Sequence, residues 1–332
     1  LPQLKLRATY GYSGNVDLSK TASATGYSCN GVAYTGFPIT RIFRLNNPEL
    51  RWEKSGMLNI AVDFILKNNI LSGTLEYYQK KSVDLYGESP IDYTGWGYNN
   101  TIIKNTADIT GKGIDLILTS KNIDRTFKWS SSLLFNYNTS KTTKYEDIKA
   151  QRISAILGGG KTIIPVIGKP LFGIAAYKWG GLDNTGKPQG YLNGEKSTDY
   201  TAILQEAVKK GEEGSLRYIG PGSPPVFGSL INSFSWKNFS LSANINYKFG
   251  YFFKKSVYTD GTLINSGIGH KDYANRWQKP GDELHTNIPV FTYPINSEMN
   301  SLYSGSEIFY LKGDHIRLQY IHLSYFLEKT NR

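Results

Sequence analysis

Hydrophobic and polar residues alternate one for one along several stretches of this chain, and the alternating stretches come in pairs joined by tight polar turns. In the clearest pair, Phe239, Leu241, Ala243, Ile245, Tyr247 and Phe249 share one face while Ser240, Ser242, Asn244, Asn246 and Lys248 share the other. A period of two gives an extended strand one apolar and one polar side. A short turn at Lys237 and Asn238 joins it to a strand from Phe227 to Trp236, where Leu230, Asn232 and Phe234 alternate less cleanly. The pairing is therefore a local antiparallel hairpin.

The same arrangement recurs upstream. Leu58, Ile60, Val62, Phe64 and Leu66 oppose Asn59, Ala61 and Asp63, and after Lys67-Asn68-Asn69 the chain returns with Leu71, Gly73, Leu75 and Tyr77 against Ser72, Thr74, Glu76 and Tyr78. A third hairpin runs from Ile114, Leu116 and Leu118 through a turn expected at Lys121 and Asn122 into Trp129, Ser131, Leu133, Phe135 and Tyr137. Single strands remain at each end: Leu4, Leu6, Ala8, Tyr10 and Tyr12 at the start, and Ile316, Leu318, Tyr320 and Phe326, alternating with Arg317 and Gln319, near the end. The pattern predicts about eight strands, each near the roughly ten residues that a tilted strand needs to cross a bilayer.

The connections between hairpins, near 13–50, 82–107, 140–225 and 251–312, are long. Short turns on one side and long loops on the other characterise a transmembrane β-barrel and are foreign to a compact soluble domain. Within the third loop, Asp199 to Gly211 reads as a short helix, with Ile203, Leu204, Ala207 and Val208 on one stripe and Gly211 ending it, and it is expected outside the membrane.

Composition changes the picture in two ways. The 332 residues are only 39% hydrophobic with 24 tyrosines and 34 glycines, and no apolar run is long enough for a membrane helix. A barrel strand shows lipid only every second residue, so low hydropathy does not argue against a membrane. The net charge of +11 invites a nucleic-acid partner, but the basic residues form no block and alternate with carboxylates, so solvated loops and a polar lumen account for them. Cys29 stands alone, which excludes an intrachain disulfide or a thiolate metal cluster.

No motif carries catalysis or a cofactor. Ala155 to Thr162 (A-I-L-G-G-G-K-T) approaches a phosphate-binding loop, but Ala155 replaces the first glycine and Pro165 would break the required helix. Gly111-Lys112-Gly113 lacks a third glycine and leads into a strand. His315 and His322, an odd number of residues apart, fall on opposite faces of a continuous strand, so a shared metal is not expected. Asn99, Asn138 and Asn238 begin glycan-acceptor triplets, a reading that a bacterial membrane barrel does not favour.

Several segments together resemble the SusC/RagA family of TonB-linked outer-membrane transporters, and they occur in the family's order. They are L-R-A-T-Y-G-Y-S-G-N from Leu6, N-P-E-L-R-W-E-K-S from Asn47, N-N-I-L-S-G-T-L-E-Y-Y from Asn68, G-K-G-I-D-L from Gly111, Y-K-W-G-G-L-D-N-T-G-K-P-Q-G from Tyr177, P-P-V-F-G-S from Pro224, N-R-W-Q-K-P-G-D from Asn275 and I-R-L-Q-Y-I-H-L-S-Y from Ile316. The resemblance implies an all-β fold: residues 1–332 as about eight antiparallel strands from the carboxy-terminal part of a plugged barrel of about 22 strands. It also implies that a plug, a TonB-contacting segment and the last strand or two lie outside this chain, which starts at Leu1 without a signal peptide and ends at Arg332 instead of an aromatic residue.

The function implied is import of oligosaccharides or peptides through the bacterial outer membrane. The partners would be a SusD-like surface lipoprotein that lids the barrel, the TonB complex, outer-membrane lipid, and the glycan or peptide substrate. No cofactor, enzymatic step or nucleic acid is implied. Tyr177, Trp179 and Asp183 in the third loop and Asn275, Arg276 and Trp277 in the fourth are the residues expected to face substrate or lid. The competing reading is a secreted β-rich glycan-binding or adhesion module, in which the apolar faces of two sheets would pack on each other.

Overall fold

A computed structural model describes residues 2–15, 24–29, 34, 36–90, 101–146, 153–161 and 163–327. Strand β1 (Gln3–Asn15) is followed by a small hairpin, β2 (Thr25–Cys29) and β3 (Ile39–Arg44), and then by β4 (Glu53–Ile65), β5 (Leu71–Pro90), β6 (Thr101–Asp124) and β7 (Phe127–Tyr145). The third loop carries β8 (Gly173–Tyr177), β9 (Gly181–Leu182), β10 (Pro188–Leu192), β11 (Glu195–Ser197), helix α1 (Tyr200–Lys210) and β12 (Leu216–Pro221). The hairpin β13 (Val226–Trp236) and β14 (Phe239–Phe249) comes next. The fourth loop then holds β15 (Phe252–Lys254), α2 (Asp260–Ser266), α3 (Ser297–Ser304) and β16 (Tyr310–Lys312), before β17 (His315–Tyr325). No helix among the described residues is long and apolar enough to cross a membrane.

Eight strands form one antiparallel sheet in the order β1-β4-β5-β6-β7-β13-β14-β17, with β1 and β17 as its edges. Directly opposite residues in an antiparallel pair share a face. One face therefore carries Leu6, Val62, Leu75, Leu116 and Phe135, and further along Leu230, Ile245 and Leu318. This apolar face is open: Leu6 is 72% exposed, Leu75 45% and Leu323 67%, and among the described residues no second sheet covers it.

The other face is polar and internally bonded. Arg7 donates two hydrogen bonds to Asp63 (2.7 and 3.0 Å), Thr74 donates a third (2.9 Å), and Asn59 donates to Glu76. Such a sheet has its greasy side outward and its wet side inward, the reverse of a soluble sandwich.

The hairpin turns give the strand tilt. The row through the paired Ile65 and Ser72 runs by way of Thr119 and Ser132 to Ile231, five residues short of Trp236 at the β13–β14 turn. With both turns at one membrane surface, an offset of about 17 Å over four strand spacings of about 4.8 Å corresponds to a tilt of about 40°, the value of membrane barrels. Aromatic rings mark both ends of the apolar band. Phe127, Trp129, Phe234 and Phe239 lie near the turns, and Tyr77, Tyr137 and Tyr247 lie near the loops. Tyr247 crosses over Gly228 to donate to the Leu134 carbonyl (2.8 Å), and a Cβ on Gly228 would meet that carbonyl oxygen.

The sheet departs from simple alternation in four respects. The strands are longer than the alternation showed: β5 reaches Pro90, β6 starts at Thr101 and β7 ends at Tyr145, so the hairpins rise well beyond the membrane. The third turn lies after Asp124, because Asn122 is a bulge residue within β6 whose amide exchanges hydrogen bonds with Ser120 and Ser131. A second bulge leaves Gln319 unpaired between Leu318 and Tyr320, so the outward face of β17 runs Ile316, Leu318, Ile321, Leu323, and Tyr320 turns inward. The same bulge puts His315 (opposite Lys248) and His322 (opposite Ser242) on one face, seven residues apart along the strand and too distant to share an ion.

The buried core lies elsewhere, in the loops. Ile156, Ala175, Tyr177, Ile203, Ala207 and Leu216 of the third loop pack with Met299 and Leu302 of the fourth. Helix α1 is capped by Asp199, whose side chain accepts from the Ala202 N–H (3.0 Å), and it buries Ile203 and Ala207. Val208 is 45% exposed, so the buried stripe is narrower than the pattern implied. Glu206, buried on the same helix, accepts from the Asn193 N–H (3.1 Å) and from Lys210 (2.9 Å). Helix α3 was not evident in the pattern, although Asn296 caps it and Met299, Leu302 and Tyr303 are spaced for one buried side.

Candidate functional site

The third and fourth loops form one unit at the end of the sheet opposite the short turns. Its frame is a backbone junction in which the Tyr177 N–H donates to the Gly305 carbonyl (2.9 Å), with the Tyr177 ring packed against Gly305. Tyr177 is 8% exposed and belongs to the shared core, so it fixes the unit and is not a surface contact. Burial pushes its phenol up.

Asp183 likewise builds structure. It closes the turn between β9 and β10 by accepting from the Thr185 N–H (2.8 Å), the Thr185 hydroxyl (2.7 Å) and the Lys187 N–H (2.9 Å). Burial opposes its charge, but these bonds outweigh that and hold the carboxyl below its usual range.

The two motif-bearing segments meet across this turn. The Trp277 ring lies on Gly186, where a Cβ would come 2.5 Å from the indole, and the Val290 N–H donates to the Gly186 carbonyl (3.0 Å). Trp277 is anchored further by its backbone bond to Ile288 (2.9 Å) and by donation from Nε1 to Glu283 (3.0 Å). That bond lowers the Glu283 carboxyl, and the Gln278 and Lys279 N–H groups lower Asp282 in the same way.

Asn275, Arg276 and Trp179 are placed differently. Asn275 and Arg276 line an open cavity of about 560 Å³ together with Lys255, Asp272, His285 and Asn287. The Arg276 guanidinium sits 4.1 Å over the Tyr273 ring and donates to the Tyr273 carbonyl (3.1 Å). Half-buried Trp179 reaches the cavity wall by donating from Nε1 to Asn287 (3.4 Å), and its ring is 5.9 Å from Tyr303. Of the six expected residues, three hold the loop and three border the cavity. Lys255 and His285 were missed, because nothing in their local sequence ties them to Arg276.

The glycines of the phosphate-loop-like segment serve packing. A Cβ on Gly159 would meet the Gly173 carbonyl, and Gly160 lies against Gly222 with φ of 95°. The turn that carries them follows a short 3-10 helix, Ile153–Ile156, and leads into no helix.

The chain is similar to several known proteins. TonB-dependent receptor P3 of Formosa agariphila is 26% identical over 312 residues, which is 86% of this chain and 29% of the relative. TonB-dependent receptor SusC of Bacteroides thetaiotaomicron is 23% identical over 291 residues, 81% of this chain and 28% of the relative. The chain is similar to the SusC-type TonB-dependent receptors. Its fold superposes on the RagAB peptide transporter with a TM-score of 0.74 at 22% identity, covering 97% of this chain and 34% of that one. No protein-family profile matches it. The chain spans about a third or less of the length of these outer-membrane relatives.

Proposed function

We propose that this chain is one wall of a TonB-coupled outer-membrane importer of oligosaccharides or peptides, with its loop unit turned toward substrate or toward a SusD-like lipoprotein lid. One observation carries the reading: the sheet exposes its apolar face and bonds its polar face, while a cored unit stands at the end away from the short turns. Barrels place such turns on the periplasmic side and long loops outside the cell. The open edges along β1 and β17 need further strands, since unpaired backbone is not tolerated in lipid.

The cavity supplies both charges, several amide groups and aromatic edges, the means by which a hydrated glycan or a peptide backbone is held. The secreted-module reading would need a second layer over the apolar face, and among the described residues there is none. The test is N275A/R276A in the full-length protein in its own cells. The expected result is impaired uptake or impaired capture of the lid lipoprotein, with normal amounts of assembled barrel. Normal growth on the transported nutrient together with normal lid capture would refute the role given to this cavity.

A further inference from the structure

The scattered lysines of the sequence converge in the sheet. On β4 to β7 the outward face carries Lys54, Lys81, Lys112 and Lys141, and not one carboxylate between Lys54 and Phe64, Leu71 and Val83, Thr110 and Ser120, or Phe127 and Lys141. The register makes each lysine the diagonal neighbour of the next: Lys81 is opposite Gly56 and Thr110, Lys112 is opposite Gln79 and Thr139, and Lys141 is opposite Thr110. Such neighbours stand about 7–8 Å apart. Within these spans the carboxylates, Asp63, Glu76 and Asp115, are on the inward face, and Asp84 and Asp108, further along the strands, are engaged by Arg51 and by the Asp84 N–H. Among the described residues none of the four lysines forms an ion pair, and all four are exposed.

Their height matters as much as their charge. With the tilt derived above, all four lie roughly 20–30 Å above the short turns, at the outer rim of an apolar band about 25 Å tall. They sit just beyond Tyr77 and Tyr137. Two hollows open between them: one of about 390 Å³ bordered by Tyr10, Tyr12, Lys54 and Lys81, and one of about 400 Å³ bordered by Gln79, Thr139, Lys112 and Lys141. Four like charges in one row repel unless an anion lies among them.

We infer that this lysine row is a binding site for the phosphate-bearing headgroup of an outer-leaflet lipid, with the acyl chains lying on the apolar face below. It rests on the barrel reading above, and it adds to that reading a defined lipid class at a defined place.

The test uses the full-length protein in phosphatidylcholine nanodiscs doped with bisphosphorylated lipid A. Lipid A retained after exchange into excess phosphatidylcholine is measured by mass spectrometry. Wild type should retain it, and retention should weaken about fivefold for each lysine changed to glutamine among K54Q, K81Q, K112Q and K141Q. The four arginine substitutions should keep it, and so should K80Q/K121Q/K128Q, whose side chains point inward. If the fourfold glutamine variant does not fold, K81Q and K112Q singly carry the comparison.

Equal retention in outward and wild-type proteins, or equal loss in the inward variant, overturns the site. So does protection of the detergent-solubilised protein by inorganic phosphate as strong as that by lipid A, which would make it a soluble-anion site. Failure of the wild type to enter nanodiscs would instead sink the barrel reading.

Discussion

Leu116 and Ile117 are adjacent apolar residues on β6 that face opposite ways, and they offer a direct test of which side of the sheet meets lipid. Leu116 lies outward between Leu75 and Phe135, and with a tilt of about 40° it falls about 12 Å above the turns, near the middle of the band. Ile117 lies inward between Thr74 and Leu134 and is 49% exposed, close on the same face to Asp115. Arginine at the lipid midplane costs about 2–4 kcal/mol, whereas an exposed inward position changes stability by about 0.5 kcal/mol or less. L116R should therefore shift the folding equilibrium by roughly 10-fold to 1000-fold relative to I117R. Guanidinium titrations of the full-length protein in lipid vesicles, followed by tryptophan fluorescence, measure both. Equal penalties, or a larger one at Ile117, would show that the faces have been assigned the wrong way round.

Two further outcomes follow from the loop unit. Ile203 is fully buried between the two loops, so I203A should cost that unit about 2–5 kcal/mol and open it to limited proteolysis while leaving the sheet resistant; protease resistance equal to wild type would refute the shared core. Asp183, Asp282 and Glu283 are held below their usual range, so their contribution to the unit is complete above the ordinary carboxylate values of about 4 and is lost as pH falls through the lowered ones. Tryptophan emission from the loops should change only in that acid window, and a transition near pH 6.5 would point to a histidine instead.

The membrane part of this chain was legible because one face of every strand meets lipid, which leaves its period of two written directly in the residues. Legibility ended where the pairing departed from regularity. Asn122 looks like a turn residue and is a bulge, and Gln319 shifts the parity of β17 without any local sign in the sequence. The tall ends of β5 and β6 escaped notice because above the membrane no solvent contrast enforces alternation.

The candidate site was legible only as segments. Asn275 and Arg276 do reach the cavity, but Tyr177 turned out to be framework through a contact with Gly305, over a hundred positions away, and Asp183 through a local turn with Thr185 and Lys187. The row of lysines is a two-dimensional fact of register, invisible in a charge count.

Because Ile203 and Leu302 belong to one core although a complete membrane hairpin separates them in sequence, neither long loop is a unit of exchange by itself. A chimera that borrows only residues 153–222 from a relative, or only residues 251–313, would set two mismatched half-cores against each other. Variation in what the outer surface recognises must therefore travel in matched pairs of loops, while β13 and β14 between them can stay unchanged.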